Sequence, residues 1–197
     1  MGNSDKGKLV YIDCCMRDES RTKRIATPLI EELSKKYDID VISLEGSTYP
    51  PVDSKTLEDR NNGIVPKEHV ETASRIASAE RIVIAAPFWD MSFPSILKVF
   101  LENMSLFGVT FDSNSTECYG LCKCKKVLYI TTRGMNISTG EALEQATPYL
   151  KALSYLWGLG DIITISAQNM DYSSPEEVEN RIAVAIQEGL EVIRGAF

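Results

Sequence analysis

The chain has 197 residues, 44% of them hydrophobic, and a formal net charge of −7, a balance typical of a globular protein. The acidic charge argues against a surface that binds nucleic acid or an anionic membrane, and no apolar run is long enough to span a bilayer. We expect a single domain over residues 1–197. The five cysteines are an odd number with irregular spacing, which favours a reducing, cytoplasmic compartment.

Short apolar runs that alternate with amphipathic stretches predict an α/β fold. The runs at 8–12, 39–44, 82–86, 126–131 and 161–166 are too short for helices and predict strands. Helical spacing predicts helices over 25–33, 70–79, 141–157 and 175–193, and one capped by Ser92 that runs to 104. Pro148 is expected to bend its helix, and the long connection 46–66 is expected to carry a short helical turn near Leu57.

The order of these elements predicts where a ligand would bind. Right-handed crossovers give a doubly wound five-stranded parallel sheet with helices on both faces. Five strands fit the order 2-1-3-4-5, in which the switch point lies between strands one and three. The loops at 13–22 and 87–93 should therefore flank one crevice, and the loop at 132–136 should close its far side.

The first of these loops suits an anion. Ser20, Arg21 and Thr22 stand where a helix is expected to begin. Free N–H groups and the helix dipole attract an anion at such a position, and hydroxyls and a guanidinium add donors. Serine and threonine are also ordinary N-cap residues, so the same residues fit a purely structural role.

The other two loops suit a flat ligand with a polar edge. After Pro87, the second loop carries an aromatic, acidic and sulfur-bearing group: Phe88, Trp89, Asp90 and Met91. Its aromatic rings could equally cap the core. The third loop offers Thr132, Arg133 and Gly134, which supply polar donors and a glycine that permits close approach. Together the loops indicate a phosphorylated planar cofactor.

These motifs resemble the FMN-dependent NADH azoreductase and quinone reductase family. The resemblance covers nearly the whole chain in the same order, and it rests on four blocks: Ser20-Arg21-Thr22, residues 86–91, Gly108-Val109-Thr110-Phe111, and Thr132-Arg133-Gly134. It implies a flavodoxin-like fold. It also implies a homodimer with the flavin at the interface, in which a hydride passes from NADH or NADPH through FMN to a quinone, azo or similar acceptor.

The resemblance also assigns roles to residues. It implies that Cys14, Ser20, Arg21 and Thr22 hold the phosphate and ribityl chain of FMN. It implies that Phe88, Trp89, Asp90 and Met91 line the isoalloxazine ring, beside Pro87, and that Thr132, Arg133 and Gly134 meet the polar edge of the ring. The flavin itself would carry the chemistry, so no catalytic side chain is expected. Asp90 is a departure, because the family often has asparagine at that position.

Two other functions fit part of the sequence. Cys15 and Arg21 match the Cys-x5-Arg-Ser/Thr loop of low-molecular-weight tyrosine phosphatases, in which a thiolate attacks phosphate. However, Asp18 and Glu19 would place carboxylates inside that loop, and the chain has no Asp-Pro general-acid motif. A flavodoxin-like electron carrier would suit the acidic charge. The length and the two long connections favour a substrate-binding oxidoreductase instead.

Two smaller features also need interpretation. Three thiols that lie close together in the sequence could contribute to a zinc site: Cys118, Cys122 and Cys124. Free cysteines are the favoured interpretation because no C-x2-C pair occurs. His69, the one histidine, stands beside Glu68 and Glu71 and is predicted to be a solvated helix residue.

Overall fold

The computed structural model describes residues 6–195 and Phe197, and it consists of strands that alternate with helices. The strands are β1 (Gly7–Asp13), β2 (Tyr37–Ser43), β3 (Arg81–Ala85), β4 (Phe111–Ser113), β5 (Cys118–Gly120), β6 (Lys126–Thr132) and β7 (Asp161–Ala167). The helices are α1 (Arg21–Ser34), α2 (Ser54–Asn61), α3 (Lys67–Ser78), α4 (Ser95–Met104), α5 (Ala146–Trp157) and α6 (Pro175–Gly195). Within this described part, none of the helices combines the length and apolar character that crossing a bilayer needs.

The main sheet has five parallel strands in the order β2-β1-β3-β6-β7. This confirms the predicted order 2-1-3-4-5, with β6 and β7 as its fourth and fifth strands. One core layer packs α3, α4 and α5 on one face of the sheet, and a second packs α1 and α6 on the other. Because helices cover both faces of the sheet, the inner strands are continuous apolar runs in the sequence. Such runs predict buried strands.

Two predicted helix starts were wrong. Helix α4 begins at Ser95 without a side-chain cap, because Ser92 instead pairs its backbone with Trp89 in a tight turn (N···O 2.8 and 2.9 Å). Helix α5 begins at Ala146 rather than at 141. Pro148 therefore lies in the first turn, where a missing N–H leaves no helical hydrogen bond unmade.

A small hairpin lies outside the elements predicted from the sequence. Strands β4 and β5 pair antiparallel, with Phe111 opposite Gly120. Gly120 packs on Gly158 at the end of α5, where an added Cβ would lie 1.8 Å from the Gly158 nitrogen. Strands of three residues are too short to show a period of two, so no pattern could reveal them. All five cysteines, Cys118 of β5 included, are free, and no group of side chains that could hold a metal ion occurs in residues 6–195 and Phe197.

The prediction that His69 is solvated was wrong. His69 is 6% exposed in α3, and its ring lies 5.2 Å from that of Tyr49 (centroid to centroid). Tyr49 belongs to the connection between β2 and α2, which folds back over α3. A contact between residues this far apart in the chain leaves no mark on the helical pattern around His69.

We expect His69 to make the stability of the protein depend on pH. Burial lowers the pKa of His69, and the nearby Glu68 carboxylate opposes this only in part. The unfolded chain therefore binds a proton more readily, so the free energy of unfolding should fall as the pH drops through the unfolded pKa of about 6.5. Urea unfolding at pH 5.5 and pH 8 should show a larger loss for the natural protein than for His69→Gln. Equal losses would contradict this role, since the chain has no other histidine.

Candidate functional site

A cleft of about 510 Å³ opens at the carboxyl ends of β1, β3 and β6. The loops that follow these strands meet there, as the switch-point rule predicts. The loop after β7, which was not among the predicted cleft loops, joins them. The lining residues are Met16, Arg17, Glu19, Ser20, Arg21, Pro87, Phe88, Trp89, Thr132, Gly134, Met170 and Asp171.

One end of the cleft is the start of α1. Ser20 is the N-cap of this helix, and its hydroxyl accepts a hydrogen bond from the Lys23 nitrogen (3.2 Å). Arg21 is the first helical residue, and its guanidinium donates from Nη1 to Asp171 Oδ1 (2.8 Å). Unpaired backbone N–H groups at a helix start point outward along the axis. This end of the cleft therefore combines a helix N-terminus, a hydroxyl and a guanidinium, all of which suit an anion.

Cys14 and Thr22 lie behind the cleft wall rather than in it, and both have no exposed surface. Cys14 packs in the core layer beside α4. The Thr22 hydroxyl shares a hydrogen bond with the Thr132 hydroxyl (2.7 Å between oxygens). This bond ties the first loop to the third. Cys14 and Thr22 support the wall of the cleft from behind and are not among the residues that line it.

The aromatic wall is formed by Phe88 and Trp89. Phe88 is fixed by its backbone, whose N–H donates to the Thr132 carbonyl (3.1 Å). The guanidinium of Arg17 lies 5.6 Å from the centre of the Trp89 ring, within the range of a cation–π contact. The ring of Trp89 thus faces the cleft with a cation from the opposite loop above it.

Asp90 and Met91 follow in the tight turn and point out of this cleft. Their φ angles are 48° and 67°, which an aspartate tolerates better than a methionine does. Asp90 lines a second cavity of about 660 Å³ on the other side of Trp89. The structure therefore separates Asp90 and Met91 from the residues that line the first cleft.

Arg133 lies under the third loop and has no exposed surface. Its guanidinium donates to the Ile137 carbonyl (2.9 Å) and the Thr139 hydroxyl (2.8 Å), and it lies 4.0 Å from the Glu144 carboxylate. Burial lowers the pKa of Arg133 and the charge of Glu144 opposes that. The guanidinium also stacks behind the Phe88 ring, 5.5 Å from its centre. Arg133 therefore supports the aromatic wall, while Thr132 and Gly134 of the same loop line the cleft.

Several residues that line the cleft were not among those predicted from the sequence. Met16, Arg17 and Glu19 belong to the first loop, and Met170 and Asp171 to the loop after β7. The latter loop is bonded to the third, since the Asp171 nitrogen donates to the Gly134 carbonyl (3.1 Å). The same rule that selected the other loops applies to the end of β7, so its two residues could have been included.

The Cys15 thiol lacks the properties of a nucleophile. It is buried and points at the Ala85 carbonyl (3.7 Å between sulfur and oxygen). Burial, with a further contribution from Asp13, raises its pKa to about 12 although Ser20 opposes this. A phosphatase needs the thiolate at neutral pH, and it needs that sulfur within the anion site. The geometry therefore speaks against the phosphatase alternative.

Comparison with known proteins agrees with this architecture. Residues 7–192 match the sequence model of a family described by its flavodoxin-like fold. FMN-dependent NADH:quinone oxidoreductase 2 of Clostridium acetobutylicum is 33% identical over 194 residues, which are 93% of this chain and 96% of that protein. The crystal structure of an azoreductase from Bacillus anthracis strain Sterne superposes with a TM-score of 0.80 at 18% identity, over 94% of this chain and 98% of that one. The chain therefore belongs to the flavodoxin-like fold family, together with the FMN-dependent NADH:quinone oxidoreductases.

Proposed function

We propose that this protein is an FMN-dependent NADH:quinone oxidoreductase that passes a hydride from a nicotinamide donor to a quinone, azo or similar small acceptor. The relative named above carries that activity in its name and matches nearly the full length of this chain. The observation that carries the proposal is the cleft itself. It joins an anion site at the start of α1 to an aromatic wall at the end of β3.

The residues in the cleft fit FMN. Its volume of about 510 Å³ lies within the range of roughly 300–1,000 Å³ that is usual for cofactor sites. Ser20 and Arg21 would hold the phosphate, and Phe88 and Trp89 would line the ring. Gly134 would lie at the ring edge, and the absence of a side chain there leaves space for Asp171, since an added Cβ would lie 2.1 Å from Asp171 Oδ2. When bound, FMN would accept a hydride from the donor and release electrons to the acceptor.

The protein's own contribution is to orient the bound cofactor and to enclose it. The backbone bond between Phe88 and Thr132 fixes the aromatic wall relative to the third loop. The Thr22–Thr132 hydroxyl pair fixes that loop relative to the anion site. The residues that would hold the phosphate are thus kept at a constant distance from the residues that would contact the ring. Rigid placement of this kind is what makes transfer between two bound reactants fast.

The second cavity favours an enzyme over a simple electron carrier. It measures about 660 Å³ and borders the first cleft at Trp89. Its walls include the rings of Phe93 and Tyr149 and the ammonium of Lys98, which lies 5.4 Å from the Tyr149 ring centre. A carrier needs only its cofactor site. A second, largely apolar cavity beside it offers room for an organic acceptor.

The proposed assembly is a homodimer. Exposed apolar side chains lie on the segments that border the second cavity: Trp89 lines it, and Met91 and Leu143 are near neighbours in sequence of its lining residues Asp90 and Gln145. The Gln145 nitrogen donates to the Met91 carbonyl (2.9 Å), which joins the two segments. Apolar groups clustered at a site mark a contact surface. Light scattering during gel filtration should give twice the chain mass of 21.9 kDa, and the mass of one chain would contradict the dimer.

The proposed location is the cytoplasm, with the whole chain acting as one domain. All five cysteines are free, and free thiols persist in a reducing compartment. Cell fractionation tests the location.

Both core layers pack on one sheet, which fits cooperative unfolding of a single unit. Coincident unfolding transitions by fluorescence and circular dichroism test the single domain.

We expect the protein to bind one FMN per chain. The protein should be mixed with excess FMN and passed over a gel-filtration column, and its flavin absorbance should then be compared with its protein concentration. NADH should bleach the bound flavin, and a quinone should restore its colour. A protein peak without flavin absorbance would refute the central proposal. Flavin that NADH fails to bleach would favour the electron carrier instead.

A further inference from the structure

A carboxylate lies in the anion site of the cleft. Asp171 follows β7 and accepts a hydrogen bond at Oδ1 from Arg21 Nη1 (2.8 Å). Its other oxygen, Oδ2, faces Gly134 so closely that an added Cβ there would lie 2.1 Å away. Asp171 therefore occupies the gap between the first and third loops. It stands beside the guanidinium that the proposed function assigns to a phosphate.

The backbone holds this carboxylate in place. The Asp171 nitrogen donates to the Gly134 carbonyl (3.1 Å), and the Met170 nitrogen donates to the Arg133 carbonyl (3.0 Å). One residue earlier, Asn169 has a φ of 59° and donates to the Met135 carbonyl (2.9 Å). The loop after β7 is thus bonded residue by residue to the loop after β6. The backbone therefore places Asp171 opposite Arg21, and their contact does not depend on the side-chain conformation alone.

The ion pair is open to solvent, so another anion can reach it. The side chains of Arg21 and Asp171 are 41% and 65% exposed, and water screens an exposed pair strongly. A phosphate monoester carries nearly two negative charges and three acceptor oxygens, and it is therefore a stronger partner for a guanidinium than a carboxylate is. A phosphate that binds Arg21 must nevertheless compete with Asp171 and lie close to its negative charge.

We propose that Asp171 is a specificity-determining residue that competes with the FMN phosphate for Arg21 and so limits how strongly the protein prefers FMN to riboflavin. This inference rests on the proposed function. The ligand class is a flavin with a phosphate monoester. The negative charge of Asp171 weakens the hold on that phosphate and makes the cofactor exchangeable, while the ring contacts stay unchanged.

The test is Asp171→Asn, which removes the charge and keeps the size of the side chain. Quenching of flavin fluorescence at low salt gives the dissociation constants. FMN should bind about two- to fivefold more tightly to the variant, as expected for the loss of one partly exposed charge. Riboflavin should change by less than about twofold, the usual limit for a surface substitution. The gain for FMN should shrink at high salt, because salt screens exposed charges.

Two matched variants isolate the interaction. The pair Arg24–Glu179 links α1 to α6 outside the cleft, so Glu179→Gln should leave the affinity for FMN unchanged. In an Arg21→Gln background, Asp171→Asn should lose most of its effect, since no guanidinium remains for carboxylate and phosphate to share. Asp171→Ser serves as a second neutral variant in case asparagine alters the loop.

The possible outcomes separate the two proposals. If FMN binds the natural protein but Asp171→Asn and Asp171→Ser bind it equally or more weakly, the competition is refuted and the proposed function stands. A matching gain for riboflavin would also refute it, because Asp171 would then act on the ring. If the natural protein binds no flavin, the proposed function fails and this inference fails with it.

Discussion

Replacing Arg21 by glutamine should weaken FMN binding by about 10- to 100-fold, the cost of losing a hydrogen bond between charged groups. Arg21 is the first residue of α1 and lines the cleft beside the N-cap Ser20. Its guanidinium already holds one carboxylate, Asp171, at 2.8 Å, which shows that an anion fits there. Since glutamine can continue the helix, the substitution removes charge without removing structure.

Riboflavin supplies the internal comparison for this variant. It has the same ring and ribityl chain as FMN but lacks the phosphate. Its dissociation constant should change by less than about twofold in Arg21→Gln. Isothermal titration calorimetry with both ligands gives the two affinities directly. Equal losses for FMN and riboflavin would remove Arg21 from the phosphate site.

Arg24→Gln is the matched control. Arg24 lies one helical turn along α1 and pairs with Glu179 of α6, outside the cleft. It carries the same charge on the same helix, so it controls for the general attraction between an arginine and an anionic ligand. We expect its effect on FMN to stay within about twofold. A comparable loss in both variants would point to the overall charge of α1 and not to a specific contact.

The sheet could be predicted from the sequence because its signals are local. Each inner strand is a short apolar run, and right-handed crossovers leave few possible orders. The cleft position followed from that order alone. The hairpin β4–β5 could not be predicted, because its stability comes from packing Gly120 against Gly158. Contacts between distant residues of this kind have no periodic pattern.

The sequence predicted which loops form the site, but not which of their side chains point into it. The loop at 132–136 does reach the cleft, yet Arg133 turns away from it toward Glu144. That direction depends on a carboxylate eleven positions later in the chain, in a segment for which the sequence predicted helix. Asp171 was missed for the opposite reason, because only three of the strand ends were considered. Only the error on Arg133 came from a tertiary contact that overrides the local pattern; Asp171 lies where the strand-end rule applies to β7 as well.

Glu144→Ala should lower the free energy of unfolding by about 3–5 kcal/mol, since it leaves the charge of Arg133 buried without its counterion. Arg133 and Glu144 are both 0% exposed, and their nearest charged atoms are 4.0 Å apart. The Glu144 carboxylate also accepts hydrogen bonds from the nitrogens of Ala146 (3.0 Å) and Thr147 (2.8 Å) at the start of α5. Alanine would therefore remove a helix cap as well as a counterion.

Urea unfolding followed by circular dichroism measures this loss, with Glu141→Ala as the matched control. Glu141 belongs to the same loop, but it is exposed, and its carboxylate accepts hydrogen bonds from Ser138, with 2.8 Å to the Ser138 nitrogen. Its replacement should cost less than about 1 kcal/mol. Similar losses for the two glutamates would show that the buried pair contributes nothing special.

The double variant Arg133→Met, Glu144→Leu measures what the ion pair contributes to stability as a unit, apart from the cost of leaving one partner unpaired. Within the described chain, Arg133 Nε and Glu144 Oε2 have no hydrogen-bond partner, so the pair is incompletely satisfied and contributes little net stability. Replacing both residues by apolar groups should therefore recover the part of the Glu144→Ala loss that comes from the unpaired Arg133 charge, whereas the loss of the helix cap remains. FMN should nevertheless dissociate faster from the double variant, because Arg133 no longer holds the Ile137 carbonyl or the Phe88 ring. Unchanged FMN release would mean that the buried pair supports the fold but not the aromatic wall of the cleft.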